Sequence, residues 1–254
     1  MAWEQAERAK AWIAESGNIV FFGGAGTSTD SGIPDFRSAE GLYNQASGTR
    51  VPPEVILSRD FFMDHTAEFY DFYRSKLLHP DAKPNAGHEA LVKLEREGRL
   101  KAVITQNIDG LHQLAGSGRV LELHGSVHRN YCMGCRAFYG LEALLESRTA
   151  VPACKACGGV IKPDVVLYQE SLDRRVLEES MVLIERADVL IVAGTSLTVH
   201  PAAGLIRYYR GDKLILVNKG TTPYDRYASA VIDGRFAEVM PFLAGVTAGP
   251  PPGP

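Results

Sequence analysis

The sequence predicts a doubly wound α/β fold on a parallel sheet, with a smaller domain beside it. Three observations predict it. Five short apolar runs, rich in Val, Ile and Leu, lack polar alternation, as strands covered on both faces should. Helical stretches lie between several of them. Two segments, 37–83 and 127–165, break that rhythm, and the second holds every cysteine of the chain.

In chain order, MAWEQAERAKAWIAESG mixes Glu, Lys and Arg with Trp12 and Ile13 and reads as an amphipathic helix ending near Gly17. NIVFF (18–22) is the first buried strand. Residues 37–83 contain aromatic, helix-like sequence (DFFMDHTAEFYDFYRSKLL) and no clear strand, which predicts a helical module. NAGHEALVKLEREG places Ala86, Ala90, Leu91 and Leu94 on one stripe, with Gly98 as its stop. KAVIT (101–105) and RVLEL (119–123) are the next strands. Residues 127–165 hold two short pieces punctuated by Gly and Pro around the cysteines. SLDRRVLEESMVLIERA (171–187) is a helix, followed by the strands VLIVA (189–193) and KLILV (213–217). The terminal AGPPPGP has too little to bury and is expected to be disordered. The expected division is therefore 1–36, 84–126 and 166–246 for the sheet domain. Residues 37–83 and 127–165 form the small domain, and 247–254 the tail.

Composition narrows the classes. The 254 residues are 45% hydrophobic and 22% charged, an ordinary globular mixture able to bury a sizeable core. Lys plus Arg number 27 against 30 Asp plus Glu, a net charge of −3, which argues against a protein held on nucleic acid by bulk electrostatics. No apolar run reaches the roughly 18 residues of a membrane span. The first helix lacks the apolar centre of a signal peptide, so the expected location is cytoplasmic and the default state a monomer.

Cys132, Cys135, Cys154 and Cys157 follow the spacing C-x2-C-x18-C-x2-C, within the range of a zinc ribbon. Two CxxC turns present four thiolates, which complete a tetrahedral shell and leave no position for water or substrate. One structural zinc is expected. No HExxH pair offers a catalytic zinc, and His128, although near the first cysteine pair, is redundant as a ligand and expected at the surface.

GGAGTSTDSGIPDFRS (23–38) follows the first strand. Gly24 and Gly26 would let the backbone pass close to a pyrophosphate, and Thr27, Ser28 and Thr29 add hydroxyl donors. The spacing Gly24, Gly26, Gly32 is neither GxGxxG nor a Walker loop, so taken alone it fits a nucleotide cradle or a structural turn. The continuation IPDFR favours the first. Pro34 stiffens it, Asp35 holds its backbone, Phe36 offers an apolar plate and Arg37 a cation, suited to a flat group and an anionic one bound together.

Ligands of open α/β sheets sit beyond the carboxyl ends of the strands. There this chain carries Gln106, Asn107, Ile108 and Asp109; His124; Gly194, Thr195 and Ser196; and Asn218. His124 is the expected general base of a nucleotide site. A lone histidine at a strand end is more often structural, but its place among the other polar strand ends favours catalysis. His88 and His112 read as packed helix residues. His65, His79 and His200 carry no signal.

Together GAGTSTDSGIPDFR, TQNIDGLH, ELHG, the two CxxC pairs, GTSL and VN, in this order over residues 19 to about 240, resemble the sirtuins. These are NAD-dependent protein-lysine deacylases, and the likeness is to bacterial members close to the minimal catalytic core. The resemblance implies an inverted Rossmann-type domain with a zinc ribbon and a helical module, NAD and acylated peptide entering the cleft from opposite sides. It places Gly24, Ala25, Gly26 and Thr29 at the NAD phosphates and ribose, and Phe36 and Arg37 near the nicotinamide ribose. Gln106, Asn107, Ile108 and Asp109 would line the nicotinamide pocket. Gly194, Thr195, Ser196 and Asn218 would hold the phosphates and adenosine half, with a last adenine contact near Phe236.

By the same resemblance, the acyl oxygen attacks C1′ of the nicotinamide ribose as nicotinamide leaves. His124 then takes a proton through the ribose hydroxyls, and water yields free lysine and O-acyl-ADP-ribose. Asn107 and Asp109 position ribose, nicotinamide or water. The peptide lies as an added strand between PDVVLY (163–168), with Val166, Leu167 and Tyr168, and SLTVH (196–200). Where the family often reads Phe-Gly-Glu after its Val-Val pair, this chain reads Leu167-Tyr168-Gln169-Glu170, a departure at the peptide mouth.

Family members that remove succinyl or malonyl groups carry Tyr-x-x-Arg in the helical module. Here Tyr70 stands at the tyrosine and Tyr73 at the arginine, with Arg74 one position off, about 100° around a helix. The expected substrate is therefore an acetylated protein or peptide. Two rival readings compete: mono-ADP-ribosyl transfer from the same NAD site, and a non-catalytic NAD sensor or zinc-ribbon nucleic-acid module. The net charge, the lack of a basic run near the cysteines and His124 speak against the second.

Overall fold

A computed structural model describes residues 2–36, 38, 41, 42 and 51–247; Arg37 and the terminal AGPPPGP lie outside the described residues. Nine strands are present among the described residues: β1 (Ile19–Gly23), β2 (Leu100–Thr105), β3 (Val120–Glu122), β4 (Gly125–Cys132), β5 (Phe138–Tyr139), β6 (Ile161–Val165), β7 (Val189–Ala193), β8 (Leu214–Asn218) and β9 (Ala230–Asp233). The helices are α1 (Ala2–Glu15), α2 (Pro53–Ile56), α3 (Arg59–Asp64), α4 (Thr66–Lys76), α5 (Ala86–Arg96), α6 (Leu111–Ala115), α7 (Glu142–Leu145), α8 (Arg174–Arg186) and α9 (Phe236–Leu243).

Six strands pair in parallel in the order β3-β2-β1-β7-β8-β9. Order reverses between β1 and β7, so the crevice beyond their carboxyl ends is where a doubly wound sheet binds its ligand. The period-2 geometry of β1 explains why its sequence is apolar throughout. Ile19 and Phe21 join Leu91 and Leu94 of α5 and Phe242 of α9 in one core, while Val20 and Phe22 join Ile184 of α8 and Leu205 in the other. Each such fully buried side chain contributes about 1.5–3 kcal/mol.

All five apolar runs are strands of this sheet. The sixth, β9, has only AVID to announce it, and lies at the sheet edge with a partner on one side. A second sheet, β5-β4-β6, is antiparallel. Its apolar residues share a third core with the helical segment: Ile161 and Val165 pack with Phe62, Phe69, Tyr70 and Tyr73, and with Cys132 and Leu144. The two segments that break the strand–helix rhythm thus close on one another.

α5 begins with a capping box: Asn85 accepts the Gly87 N–H through its side chain (3.0 Å), and His88 Nδ1 accepts the Asn85 N–H (3.2 Å). Its chain reverses at Gly98, whose φ of +73° only glycine adopts without cost. His88 and His112 meet beneath the sheet with ring centroids 4.7 Å apart, and both are buried. Neither nitrogen of His112, nor Nε2 of His88, has a hydrogen-bond partner among the described residues. Burial lowers the His88 pKa to about 4, and burial together with His88 holds His112 well below its ordinary value.

The unfolded chain binds these protons first, so their contribution is complete above pH 6.5 and declines as pH falls toward 4. Stability is expected to drop by about 1.4 kcal/mol per pH unit for each histidine in that window. Denaturant midpoints at pH 7.5, 6 and 5 measure this. The acid slope should be roughly halved in His112→Met, and an unchanged slope would show that other groups carry it.

Candidate active site

The crevice is built by two glycine-bearing turns that cross at the point where strand order reverses. Gly24 N–H donates to Ala193 O (3.1 Å) and Gly26 N–H to Gly194 O (2.8 Å). A Cβ on Gly26 would lie 2.8 Å from Gly194 Cα, and one on Gly194, with φ +60°, 2.4 Å from Thr27 N. Glycine on both turns is a condition of the crossing. No carboxylate stands on residues 24–29 or 194–196; hydroxyls and backbone amides do, a donor set that fits phosphate.

Side chains from the strand ends then join in one network. Gln106 Nε2 donates to Thr195 Oγ1 (3.1 Å), and Asn218 Nδ2 to Thr195 O (3.2 Å). Asn107 Nδ2 donates to Thr27 Oγ1 and to Ser28 Oγ, both at 3.0 Å. Ser28 donates in turn to Asp109 Oδ2 (2.7 Å), whose other oxygen accepts the Leu111 N–H (2.9 Å). Burial pushes the Asp109 carboxyl above the usual carboxylate range, and the Ser28 and Leu111 bonds pull it partly back.

His124 comes just after β3. Its Nδ1 lies 2.9 Å from Gln106 O. A carbonyl only accepts, so Nδ1 carries the proton and Nε2 is left as the acceptor. Burial lowers the His124 pKa, partly opposed by the Gln106 bond, so the imidazole is neutral and basic near pH 7. The next segment begins at the same residue, for Val166 N–H donates to His124 O (3.0 Å).

The other expected site residues are spread more widely. Ile108 and Phe36, both half-buried, pack on the third core, and Val127 N–H donates to Ile108 O (3.0 Å). The Gln106–Asp109 segment therefore joins the two sheets. Ala25 is half-buried in its turn, Thr29 donates to Gly26 O (3.1 Å), and Ser196 shares a hydrogen bond with Thr198 (2.8 Å). Phe236 lies beneath the sheet, 2% exposed, against Phe21 and His88, and does not enter the network. Tyr70 is buried and its hydroxyl donates to Ile161 O. Leu167 is buried and Tyr168 exposed.

Ser28, expected only as a hydroxyl donor of the loop, does more than that, and two further contributors, Asn85 and Arg235, carry no signal in the sequence. Ser28 is the bridge between Asn107 and Asp109. Asn85 Nδ2 donates to Thr27 O (2.9 Å) and Ser31 Oγ (3.0 Å), bracing the loop from α5. Arg235, after β9, pairs with Asp30. A cavity of about 380 Å³ reaches Asp109 but none of His124, Thr195 or Asn218, and is lined also by Ile33, His128 and Leu141.

The four cysteine sulfurs lie within 4.8 Å of one another, with Cys132 and Cys157 at 3.4 Å and Cys135 and Cys154 at 3.6 Å. Zinc–thiolate bonds of about 2.3 Å place tetrahedral sulfurs roughly 3.8 Å apart, so the set fits one zinc. Gly134 N–H (3.3 Å) and Cys135 N–H (3.4 Å) donate to Cys132 Sγ, and Tyr139 donates to Cys154 Sγ (3.1 Å). These bonds suit thiolate ligands. His128 is exposed, and its Nε2 bonds Asp109 O (3.0 Å), outside the cluster.

A family model described as Sir2 family matches residues 24–201. The chain belongs to the Sir2 family. An NAD-dependent protein deacetylase of Clostridium acetobutylicum is 58% identical over 228 residues, 90% of this Sir2 chain and 93% of the relative. One from Clostridium tetani is 56% identical over 91% and 94% of the two chains. Among solved structures, a Sir2 with deacetylated p53 peptide and 3′-O-acetyl ADP-ribose has a TM-score of 0.86 and 39% identity, covering 94% of this chain and 97% of that one. A Sir2–p53 peptide–NAD+ complex has a TM-score of 0.80 and 41% identity, over 93% and 97%. Among the described residues no helix is long and apolar enough to cross a membrane.

Proposed function

We propose that this Sir2 chain is an NAD-dependent protein-lysine deacetylase with His124 as its general base. One observation carries the reading: a half-buried, neutral imidazole, fixed through Nδ1 on Gln106 O, stands at the end of a network joining four strand ends. The deacetylase relatives and the peptide-bound structural neighbours support the same reading.

NAD, when bound, supplies an electrophilic ribose carbon and nicotinamide as leaving group. Gly24, Ala25, Gly26 and Thr29 would hold its phosphates and ribose, and Gly194, Thr195, Ser196 and Asn218 the adenosine half. Gln106, Asn107, Ile108 and Asp109 would enclose the nicotinamide. Phe36 and Arg37 would cover the ribose. His124 Nε2 accepts the ribose hydroxyl proton, and Asn107 and Asp109, tied through Ser28, hold the groups around it in place. An acyl-lysine is neutral, whereas free lysine would have to leave water with its charge, which favours substrate over product.

The peptide docks along Val166, Leu167 and Tyr168. The separate apolar cores support a sheet domain of 1–36, 84–126 and 166–246 and a small domain of 37–83 and 127–165. Four unbridged cysteines gathered at one metal site suit a reducing compartment, which supports a cytoplasmic location. The net charge of −3 supports protein over nucleic-acid substrates.

The acyl preference rests on the helical module. Tyr70 is committed to Ile161 O and Tyr73 is fully buried, while Arg74 donates to Thr149 O (3.1 Å) and Ala150 O (3.4 Å). Arg74 thus spends Nη1 on backbone carbonyls, with its guanidinium 5.4 Å from the centroid of the Tyr70 ring, and the Tyr-x-x-Arg spacing is not met. Incubation of an acyl-peptide panel with NAD, read by mass, should give nicotinamide, deacetylated lysine and O-acetyl-ADP-ribose in equal amounts. Succinyl peptide should react at least about tenfold more slowly, the value of one lost charge-assisted contact. Label from NAD appearing on protein instead of in O-acetyl-ADP-ribose would favour ADP-ribosyl transfer. Comparable acetyl and succinyl rates would refute the acyl assignment.

A further inference from the structure

Gln169 is one of three non-glycine residues with positive φ among the described residues, at +74°. L side chains enter that region at a cost, and glycine does not. A glutamine there calls for a compensating contact, and one is present. Gln169 Oε1 accepts the Asp60 N–H (3.0 Å), and Gln169 Nε2 donates to Asp60 Oδ2 (2.9 Å). Both groups of the amide are thus spent on the first turn of α3, in the helical module.

The surrounding backbone is pinned at both ends. Val166 N–H donates to His124 O (3.0 Å), Tyr168 N–H to Leu57 O (2.9 Å), and Arg59 N–H to Tyr168 O (3.0 Å). Between them, Glu170 accepts the Leu167 N–H (2.9 Å) and the Lys162 ammonium (3.1 Å). The edge over which a substrate strand would lie is therefore hung between the catalytic histidine and the helical module. Gln169–Asp60 is the side-chain part of the second attachment.

We propose that the Gln169–Asp60 pair is a latch that positions the Val166–Tyr168 edge for acylated peptide, so that Gln169 is a positioning residue for peptide affinity. The proposal rests on the assignment of that edge as the peptide site. An added strand binds through main-chain hydrogen bonds and needs its template backbone fixed in advance. NAD, assigned to the Gly24–Thr29 and Gly194–Ser196 turns, would not meet the latch.

The test uses the full-length, zinc-loaded enzyme with acetyl-peptide and NAD. Gln169→Gly keeps the backbone conformation accessible and deletes the latch. Gln169→Glu sets two carboxylates against each other. In Gln169→Glu/Asp60→Asn donor and acceptor are exchanged across the contact. The two single variants should raise the peptide KM roughly fivefold, as expected for lost hydrogen bonds at an exposed site, with kcat and the NAD KM unchanged. The pair should restore the wild-type KM. Amide exchange of residues 168–170 should speed up in the single variants and recover in the pair. Exchange that does not change in either single variant overturns the latch. Exchange that changes while the peptide KM does not would show that a latch exists but the peptide lies elsewhere, which overturns the edge assignment on which the proposal stands.

Discussion

His124→Ala is expected to lower kcat for NAD-dependent deacetylation by about a thousandfold, the central range for loss of a positioned general base. The substitution removes one hydrogen bond, from Nδ1 to Gln106 O, worth about 1 kcal/mol, so fold and zinc content should persist. That separates a chemical defect from a structural one: the melting temperature should move by a few degrees at most, while turnover collapses. The pH profile gives a second readout. Only the neutral imidazole accepts a proton, and burial holds its pKa below the ordinary 6.5. Activity should therefore stay flat through neutral pH and fall only on the acid side, below that value. A variant retaining half or more of wild-type turnover, or an acid limb centred above 6.5, would remove His124 from the mechanism.

The positions of these groups are legible in the sequence because one rule serves them all. Buried parallel strands announce themselves as unbroken apolar runs, and the residues just after each run must face the ligand crevice. Gln106, Asn107, His124, Thr195 and Asn218 are found that way, with no knowledge of their contacts. The edge strand β9 escapes because four residues with one covered side leave almost no pattern. β4 escapes for another reason: GSVHRNYC is polar, is interrupted in register between Ser126 and Asn130, and is held by the cysteine cluster as much as by apolar burial.

The connections between site residues are not legible at all. Asn107 and Ser28 are 79 positions apart, Asp30 and Arg235 205, and Asp60 and Gln169 109. Each is a polar pair without periodicity, made by the fold and invisible along the chain. Phe236 marks the opposite failure. The family resemblance places an adenine contact near it, yet its ring rests on Gly87, where a Cβ would come within 2.4 Å, and it fills core instead. Gln169 stands out in the sequence as a departure from the family's glycine, but its contact with Asp60 exists only in the folded chain.

Removal of zinc is expected to abolish deacetylation while leaving the six-stranded sheet folded. Cys132 and Cys154 are buried, Cys135 and Cys157 exposed, and all four belong to a ribbon whose strands run two to eight residues. Structural zinc supplies about 10 kcal/mol or more to such a module, more than its few apolar residues can replace. Without the ion, four sulfurs within 4.8 Å would repel as thiolates, or, as thiols, leave the ribbon without the bonds that tie its two CxxC turns together. β6 would lose its pairing with β4, and β6 leads directly into Val166, the residue bonded to His124 O. Damage should therefore travel along that strand. Peptide binding should fail first, then turnover, while the parallel sheet keeps its cooperative melt and its affinity for NAD. Chelation followed by limited proteolysis should place new cuts within residues 133–160, and readdition of zinc should restore protection and activity together. Cys154→Ser should reproduce the metal-free state at one ligand. Full activity in metal-free protein would mean that the ribbon holds itself together and that the four cysteines serve some other end.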